Sequence, residues 1–157
     1  NDKAHASLAA QIAEHSCFRH YLALLEGNLK EDTGTVKTFI GRNPKDRKQM
    51  AVLSEGKEAI THFKVKERFE GYCLTEFILE TGRTHQIRVH MLLLGHPLVG
   101  DALYGGAPAG GMQRQALHAF RLAFVHPVTG ESLELAAEPP ADFLAAVEQL
   151  GLRYNPH

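Results

Sequence analysis

A run of alternating polar and apolar residues in the middle of the chain is followed at once by a second extended run, and an antiparallel hairpin is the fold that uses both. From Ala59 to Phe69, the side chains of Phe63, Val65 and Phe69 fall on one side and those of His62, Lys64, Lys66 and Arg68 on the other. This is the period of a half-buried strand. Glu70-Gly71 offers a turn, and Tyr72 to Glu80 returns as the partner strand. At Gly82 the period changes. The stretch Thr81-Gly82-Arg83-Thr84-His85-Gln86-Ile87-Arg88-Val89-His90-Met91 restarts with helical spacing. A glycine at a strand end permits positive φ, and Thr84 is placed to cap the amides of the turn that follows. On the predicted helix His85, Arg88 and Leu92 share one face, and Ile87, Met91 and Leu94 another. The apolar set can bury against a sheet, while the mixed face presents a guanidinium from a rigid element at a strand end, a place that suits a working group.

The flanking segments extend the same plan. Residues 2 to 15 carry apolar positions at helical spacing (Ala4, Leu8, Ile12 and Ala9, Ala13), so an amphipathic helix is expected to start abruptly at the first residue, with something preceding it. Cys17 to Gly27 reads as a strand with Tyr21 in its middle, on the side of Arg19 and Ala23. Glu31-Asp32-Thr33-Gly34 reads as a turn, and Thr35 to Ile40 as a short strand. Gly41 to Lys48 is a basic loop, after which Met50 to Leu53 is extended again. The central helix is expected to stop at Gly95, with His96-Pro97 beyond it. Leu98 to Gly111 is a glycine-rich loop without GxGxxG or Walker spacing, so it is given no nucleotide-binding role. Ala116 to Val125 and Ser132 to Ala137 form a hairpin around Pro127-Val128-Thr129-Gly130. A last helix runs from Pro140 through Leu150 with Phe143, Leu144, Val147 and Leu150 facing inward. No repeat or linker interrupts the order, so residues 1–157 read as one α+β domain with a mostly antiparallel mixed sheet and flanking helices.

Composition narrows the function. A chain of 157 residues needs no staples, because a domain of that size buries about 68–70% of its unfolded surface. It is 44% apolar with no run near the roughly 20 residues of a membrane span. No secretory pattern stands at Asn1 to Ala10, and the expected location is the cytoplasm. Cys17 and Cys73 show no ligand spacing, and His85 and His90 are five apart, so no metal site is assigned. With a net charge of −1, nucleic-acid binding has to rest on a local patch. Arg42, Lys45, Arg47 and Lys48 put four cations within seven residues. A charge run is usually a solvated loop tip, but this concentration in a chain without overall positive charge makes it the candidate RNA contact.

The long central motif, followed by His96-Pro97-Leu98-Val99-Gly100-Asp101 and Tyr104-Gly105, closely resembles the RluA/RluC/RluD family of pseudouridine synthases. Asn1-Asp2-Lys3-Ala4-His5, Arg19-His20-Tyr21-Leu22-Ala23, and Leu117-His118-Ala119 through His126-Pro127 resemble further family segments in order, so the likeness covers essentially the whole chain. The resemblance implies the family's fold and activity. Uridine in RNA is isomerised by breaking the N-glycosidic bond and rejoining the ribose to carbon 5 of the base, with no metal or organic cofactor. It also implies RNA as partner, large-subunit ribosomal RNA being the family's commonest substrate and transfer RNA another. Arg88 matches the arginine that ion-pairs with the catalytic aspartate, and Tyr21 the tyrosine that stacks on the target base, with a part in moving the proton from carbon 5 as a further suggestion. Such an arginine lowers a neighbouring acid's pKa by about 1–3 units. Stacking contributes roughly 1–3 kcal/mol, comparable to the few that base flipping costs. Leu117 resembles an apolar residue lining the base pocket, though a core leucine looks the same. Arg83 fits phosphate binding and loop bracing equally well, and His85 reads as a hydrogen-bonded orienting residue rather than a general base. A core tyrosine and an arginine paired with a structural acid remain the plain alternatives for Tyr21 and Arg88.

The resemblance also has a gap. The family's nucleophile lies in a His-Arg-Leu-Asp motif, and no such motif occurs in this sequence. Asp2, Asp32, Asp46, Asp101 and Asp142 do not match it, and Asp101 is given a turn or capping role. The chain is therefore expected to be the C-terminal portion of a pseudouridine synthase catalytic domain, a fragment inactive alone. A non-catalytic RNA-binding module of the same fold is the alternative. Strands missing from the fold would leave an exposed sheet edge, and self-association through that edge is expected.

Overall fold

In a computed structural model of the chain, residues 18–125, 132–136 and 139–153 are described. The predicted helix over residues 2–15, the start of the first strand at Cys17 and the turn at Pro127 to Gly130 lie outside them. In chain order the elements are β1 (Phe18–Glu26), β2 (Thr33–Arg42), β3 (Met50–Leu53), β4 (Lys57–Phe69), β5 (Tyr72–Leu79), α1 (Gln86–Leu93), a one-turn 3-10 helix (Ala102–Tyr104), β6 (Leu117–Val125), β7 (Ser132–Ala136) and α2 (Ala141–Arg153). The strands form one sheet in the order β3-β2-β4-β5-β1-β6-β7, and every pairing among the described residues is antiparallel.

The β4–β5 hairpin is the centre of this sheet. Phe69 faces Tyr72 across the Glu70-Gly71 turn, Gly71 adopting φ 79, and Phe63 faces Phe77 farther up. Both faces of the central strands are covered. Ala23, Leu25, Cys73, Phe77 and Leu79 pack against Ile87 and Met91 of α1. On the other side Leu24 and Phe69 meet Phe143, Ala146 and Leu150 of α2. Phe69 does not share the side of Phe63 and Val65 as its spacing suggested, because the register shifts between Val65 and Glu67. The unbroken apolar run in β1 follows from this, since neighbouring residues serve opposite layers. Full burial of a side chain such as Phe77 contributes about 1.5–3 kcal/mol.

The helices differ from expectation at particular positions. Leu144 is 49% exposed rather than inward, and Ala146 takes its place in the core beside Phe143 and Leu150. The reason is phase: positions 143, 146 and 150 follow one stripe of the helix, and Leu144 lies roughly 100° away from Phe143. Leu94, placed on the apolar face of α1 by its spacing, falls just past the last helical residue and is 38% exposed. Gly95 does end the helix, in the left-handed region at φ 84, and the His96 amide reaches back to the Met91 carbonyl at 2.8 Å.

The glycine-rich loop is a structural device. Leu98 and Val99 run beside β1, the Val99 amide donating to Leu24 O at 2.9 Å, and the chain then turns back so that Gly106 donates to Asp101 O at 2.7 Å. A Cβ at Gly106 would overlap the Leu98 carbonyl oxygen. The tight return carries Asp101 and Tyr104 against α1.

Candidate active site

Polar side chains fix the start of α1 from within. Gln86, 2% exposed, accepts from the Thr81 hydroxyl at 2.7 Å and the Arg83 amide at 3.0 Å. Its side-chain amide donates to Ile60 O at 3.0 Å and Thr61 Oγ1 at 2.9 Å. The Thr81 hydroxyl in turn accepts from the Ile60 amide at 2.9 Å. One turn on, His90 is fully buried between Thr38 Oγ1 and Thr61 Oγ1, each 2.8 Å from a ring nitrogen, and burial pulls its pKa down to about 4. The predicted cap is therefore displaced. Thr84 is exposed and His85 occupies the N-cap position without a side-chain cap bond, the helix proper beginning at Gln86. Gln86 instead takes the Arg83 amide, in the turn that precedes Thr84.

On the outer side of α1, Arg88 and Asp101 form a two-pronged ion pair. Arg88 Nε and Nη2 donate to the two carboxylate oxygens at 2.8 Å each, with Asp101 only 1% exposed. These bonds to Asp101 hold the guanidinium more firmly protonated than an ordinary arginine. The sequence reading placed the catalytic partner of Arg88 outside the chain, kept a structural acid as the alternative without naming one, and gave Asp101 a turn or capping role. Asp101 is that structural acid. The turn is present in its backbone, but the carboxylate makes no cap and is spent on Arg88. Asp101 is not itself the missing nucleophile, because both oxygens are occupied and it does not line the pocket described below. An arginine carries five N–H donors, so the rest of this fork stays open to a second anion.

Tyr104 lies beneath this pair. Its ring sits 5.0 Å from the Arg88 guanidinium carbon and meets the His85 ring edge-on, with centroids 5.5 Å apart. Its hydroxyl accepts from the Met50 amide at 2.8 Å and lies 2.7 Å from His85 Nδ1. The His85 pKa is lowered, first by burial and then by the positive charges of Arg88 and Arg42, with Asp101 opposing them.

A cavity of about 120 Å³ opens at this junction, lined by Tyr21, Leu79, Gly82, Arg83, His85, Gln86, Ile87, Arg88 and Leu117. All five residues singled out from the sequence for catalysis or substrate binding line it. Tyr21 comes from β1 at a register shift against β6, and Leu117 from the first position of β6. The volume is below the roughly 300–1,000 Å³ of whole-ligand pockets and suits one flat ring. Arg83 braces, its Nε donating to Glu58 O at 2.7 Å. Arg42, Lys45, Arg47 and Lys48 are exposed and do not line the cavity. Their loop adjoins the site, because Gln49 Nε2 donates to Leu103 O at 2.6 Å and Met50 donates to Tyr104. Sequence reasoning missed Gln86, the Asp101 partnership and Tyr104. The available signal was Gly100-Asp101-Ala102-Leu103-Tyr104-Gly105, two polar anchors between glycines in a loop set aside for lacking a nucleotide pattern.

Comparison with known proteins gives this geometry a context. The family model described as RNA pseudouridylate synthase matches residues 1–93. The uncharacterized RNA pseudouridine synthase YlyB of Bacillus subtilis (strain 168) is 48% identical over 150 residues, covering 96% of this chain and 50% of the relative. Ribosomal large subunit pseudouridine synthase D of Xanthomonas campestris pv. campestris is 45% identical over 153 residues, covering 89% of this chain and 46% of the relative. The solved structure of human RNA pseudouridylate synthase domain containing 1 superposes with a TM-score of 0.75 at 31% identity, over 100% of this chain and 66% of that one. The chain spans about half the length of the curated relatives it matches. With the family model matched over more than half of its residues and the fold shared throughout, this chain belongs to the RNA pseudouridylate synthase family.

Proposed function

We propose that the chain supplies the base-binding, arginine-bearing part of an RNA pseudouridine synthase acting on uridine in large-subunit ribosomal RNA, in the cytoplasm. One observation carries this reading: Tyr21, Arg83, His85, Arg88 and Leu117, drawn from three separate stretches of sequence, line a single cavity. In the reaction the C1′–N1 bond breaks, C1′ bonds to carbon 5, and the proton lost from carbon 5 is balanced by one gained at N1. Tyr21 offers its ring to the extruded base, with Leu117, Leu79 and Ile87 giving the base a dry wall. Arg88, fixed by Asp101, turns its remaining N–H donors toward the attacking carboxylate and keeps it an anion. Arg83 and the cations Arg42, Lys45, Arg47 and Lys48 hold phosphates around the flipped nucleotide. Ribosomal RNA is favoured over transfer RNA by the likeness to the ribosomal large subunit synthase of Xanthomonas.

A second reading, an RNA-binding module without the chemistry, draws on the lining of the cavity, which holds no carboxylate among the described residues. Tritium release from RNA labelled at carbon 5 of uridine separates the two. The 157 residues alone are expected to show no turnover. Exchanged for the matching half of the Xanthomonas relative, they are expected to restore it. A folded chimera that binds RNA and never releases tritium would leave only the binding module.

A further inference from the structure

His85 is the one non-glycine residue with positive φ among the described residues, at φ 56. A left-handed histidine at a helix start is a strained choice that persists where its surroundings hold it, and what holds this one is Tyr104. The Tyr104 hydroxyl owns a single hydrogen. Its oxygen accepts from the Met50 amide at 2.8 Å, and the next group in reach is His85 Nδ1 at 2.7 Å. The arrangement that gives the hydroxyl hydrogen a partner sends it to Nδ1, which makes Nδ1 an acceptor. The hydrogen of a neutral imidazole is then on Nε2. Burial first, then the charges of Arg88, stacked on the same tyrosine ring, and of Arg42, disfavour a second proton on His85. Nε2 makes no hydrogen bond among the described residues, and His85 lines the cavity.

We propose that Tyr104 is a positioning residue that locks His85 in the Nε2–H form, so that the cavity meets a base with a hydrogen-bond donor and prefers uracil, which has a carbonyl at carbon 4, to cytosine, which has an amino group there. This rests on the reading of the cavity as a base site. A donor facing the cytosine amino group leaves two donors opposed and unpaired, whereas the uracil carbonyl accepts it. One hydrogen bond of this kind corresponds to a preference of roughly 3- to 10-fold.

The test has two arms on the full 157-residue chain. In long-range proton–nitrogen NMR at pH 7, His85 should show its hydrogen on Nε2 and a bare, hydrogen-bonded Nδ1. In Tyr104→Phe the two tautomers should mix. An Nδ1–H form in the unmodified chain overturns the proposal without recourse to any variant, as does an unchanged tautomer in folded Tyr104→Phe. In the second arm, a short oligouridylate should bind roughly 3- to 10-fold more tightly than an oligocytidylate of equal length, and Tyr104→Phe should bring the ratio toward one. Equal affinity in the unmodified chain overturns the base preference. Binding to neither oligonucleotide overturns both the base-site reading and the preference drawn from it, while the NMR arm reports on the lock by itself.

Discussion

The cavity at the head of α1 and the basic tip between β2 and β3 adjoin, yet they are built on opposite terms. Around the cavity every strong group is held by another: Asp101 grips Arg88 with two bonds, Tyr104 carries both Arg88 and His85, and Gln86 ties the helix start to β4. At the tip, Arg42 donates to the Arg47 carbonyl at 3.0 Å, and no salt bridge among the described residues involves Arg42, Lys45, Arg47 or Lys48. Fixed groups suit a task in which atoms must meet at set distances. Free, exposed cations suit a polyanion whose phosphates need neutralising without set geometry. Under the proposed function, chemistry and base reading fall to the first region and retention of RNA to the second.

Stability should separate them most strongly. Asp101→Ala leaves Arg88 without its acid in a mostly buried position, and a loss of about 3–5 kcal/mol is expected in urea unfolding. Alanine at any one of the four tip cations should stay within about 0.5 kcal/mol. A mild Asp101→Ala would mean that the pair is ornamental and that the contrast fails on its structural side.

The buried network behind the cavity should make stability depend on pH. His90 has a folded pKa of about 4, below the ordinary 6.5, so the unfolded chain binds the proton more readily. Stability therefore rises with pH between those values, and the His90 contribution, about 3 kcal/mol at most, is complete above 6.5 and lost as pH falls toward 4. Urea midpoints measured across that range should slope in the parent and flatten in His90→Gln. An identical slope in both would remove His90 from the account. Gln86→Ala, which abandons the Arg83 amide and the Thr61 hydroxyl, should cost about 2 kcal/mol in the same assay.

Smaller effects belong to the tip and the sheet edges. Replacing Arg42, Lys45, Arg47 and Lys48 together should weaken single-stranded RNA binding and reduce the slope of log affinity against log salt by up to about 3. An unchanged slope dismisses the patch. The sheet ends on β3, four residues long, and β7, five. Such short edges pair weakly, and Leu92, Leu93 and Leu94 at the end of α1 are exposed. Slight concentration-dependent association in sedimentation is therefore expected, and strictly monomeric behaviour at high concentration would end that proposal.

How far the sequence disclosed this molecule follows from what periodicity can carry. The β4–β5 hairpin, the strand around Tyr21 and the stop at Gly95 were legible because alternation, a turn dipeptide and a glycine act locally. Leu144 and Leu94 were misjudged because helix phase and a helix end shift with one residue. At the site, Tyr21, Arg83, His85, Arg88 and Leu117 stood in recognisable motifs. The Asp101 partnership was hidden, since it depends on the glycine-rich loop folding back onto α1, and so was the Gln86 network, whose partners lie 25 residues away on β4. Pairings of this kind are properties of the tertiary fold.

The division of labour is tested most directly by steady-state kinetics of tritium release in the chimera described above. Arg88→Lys keeps a positive charge beside Asp101 but loses the fork, and it should lower kcat roughly 100-fold while KM stays near the parent value. The quadruple tip variant should raise KM and leave kcat unchanged. A full kcat in Arg88→Lys, or a tip variant that loses kcat instead of KM, would contradict the account.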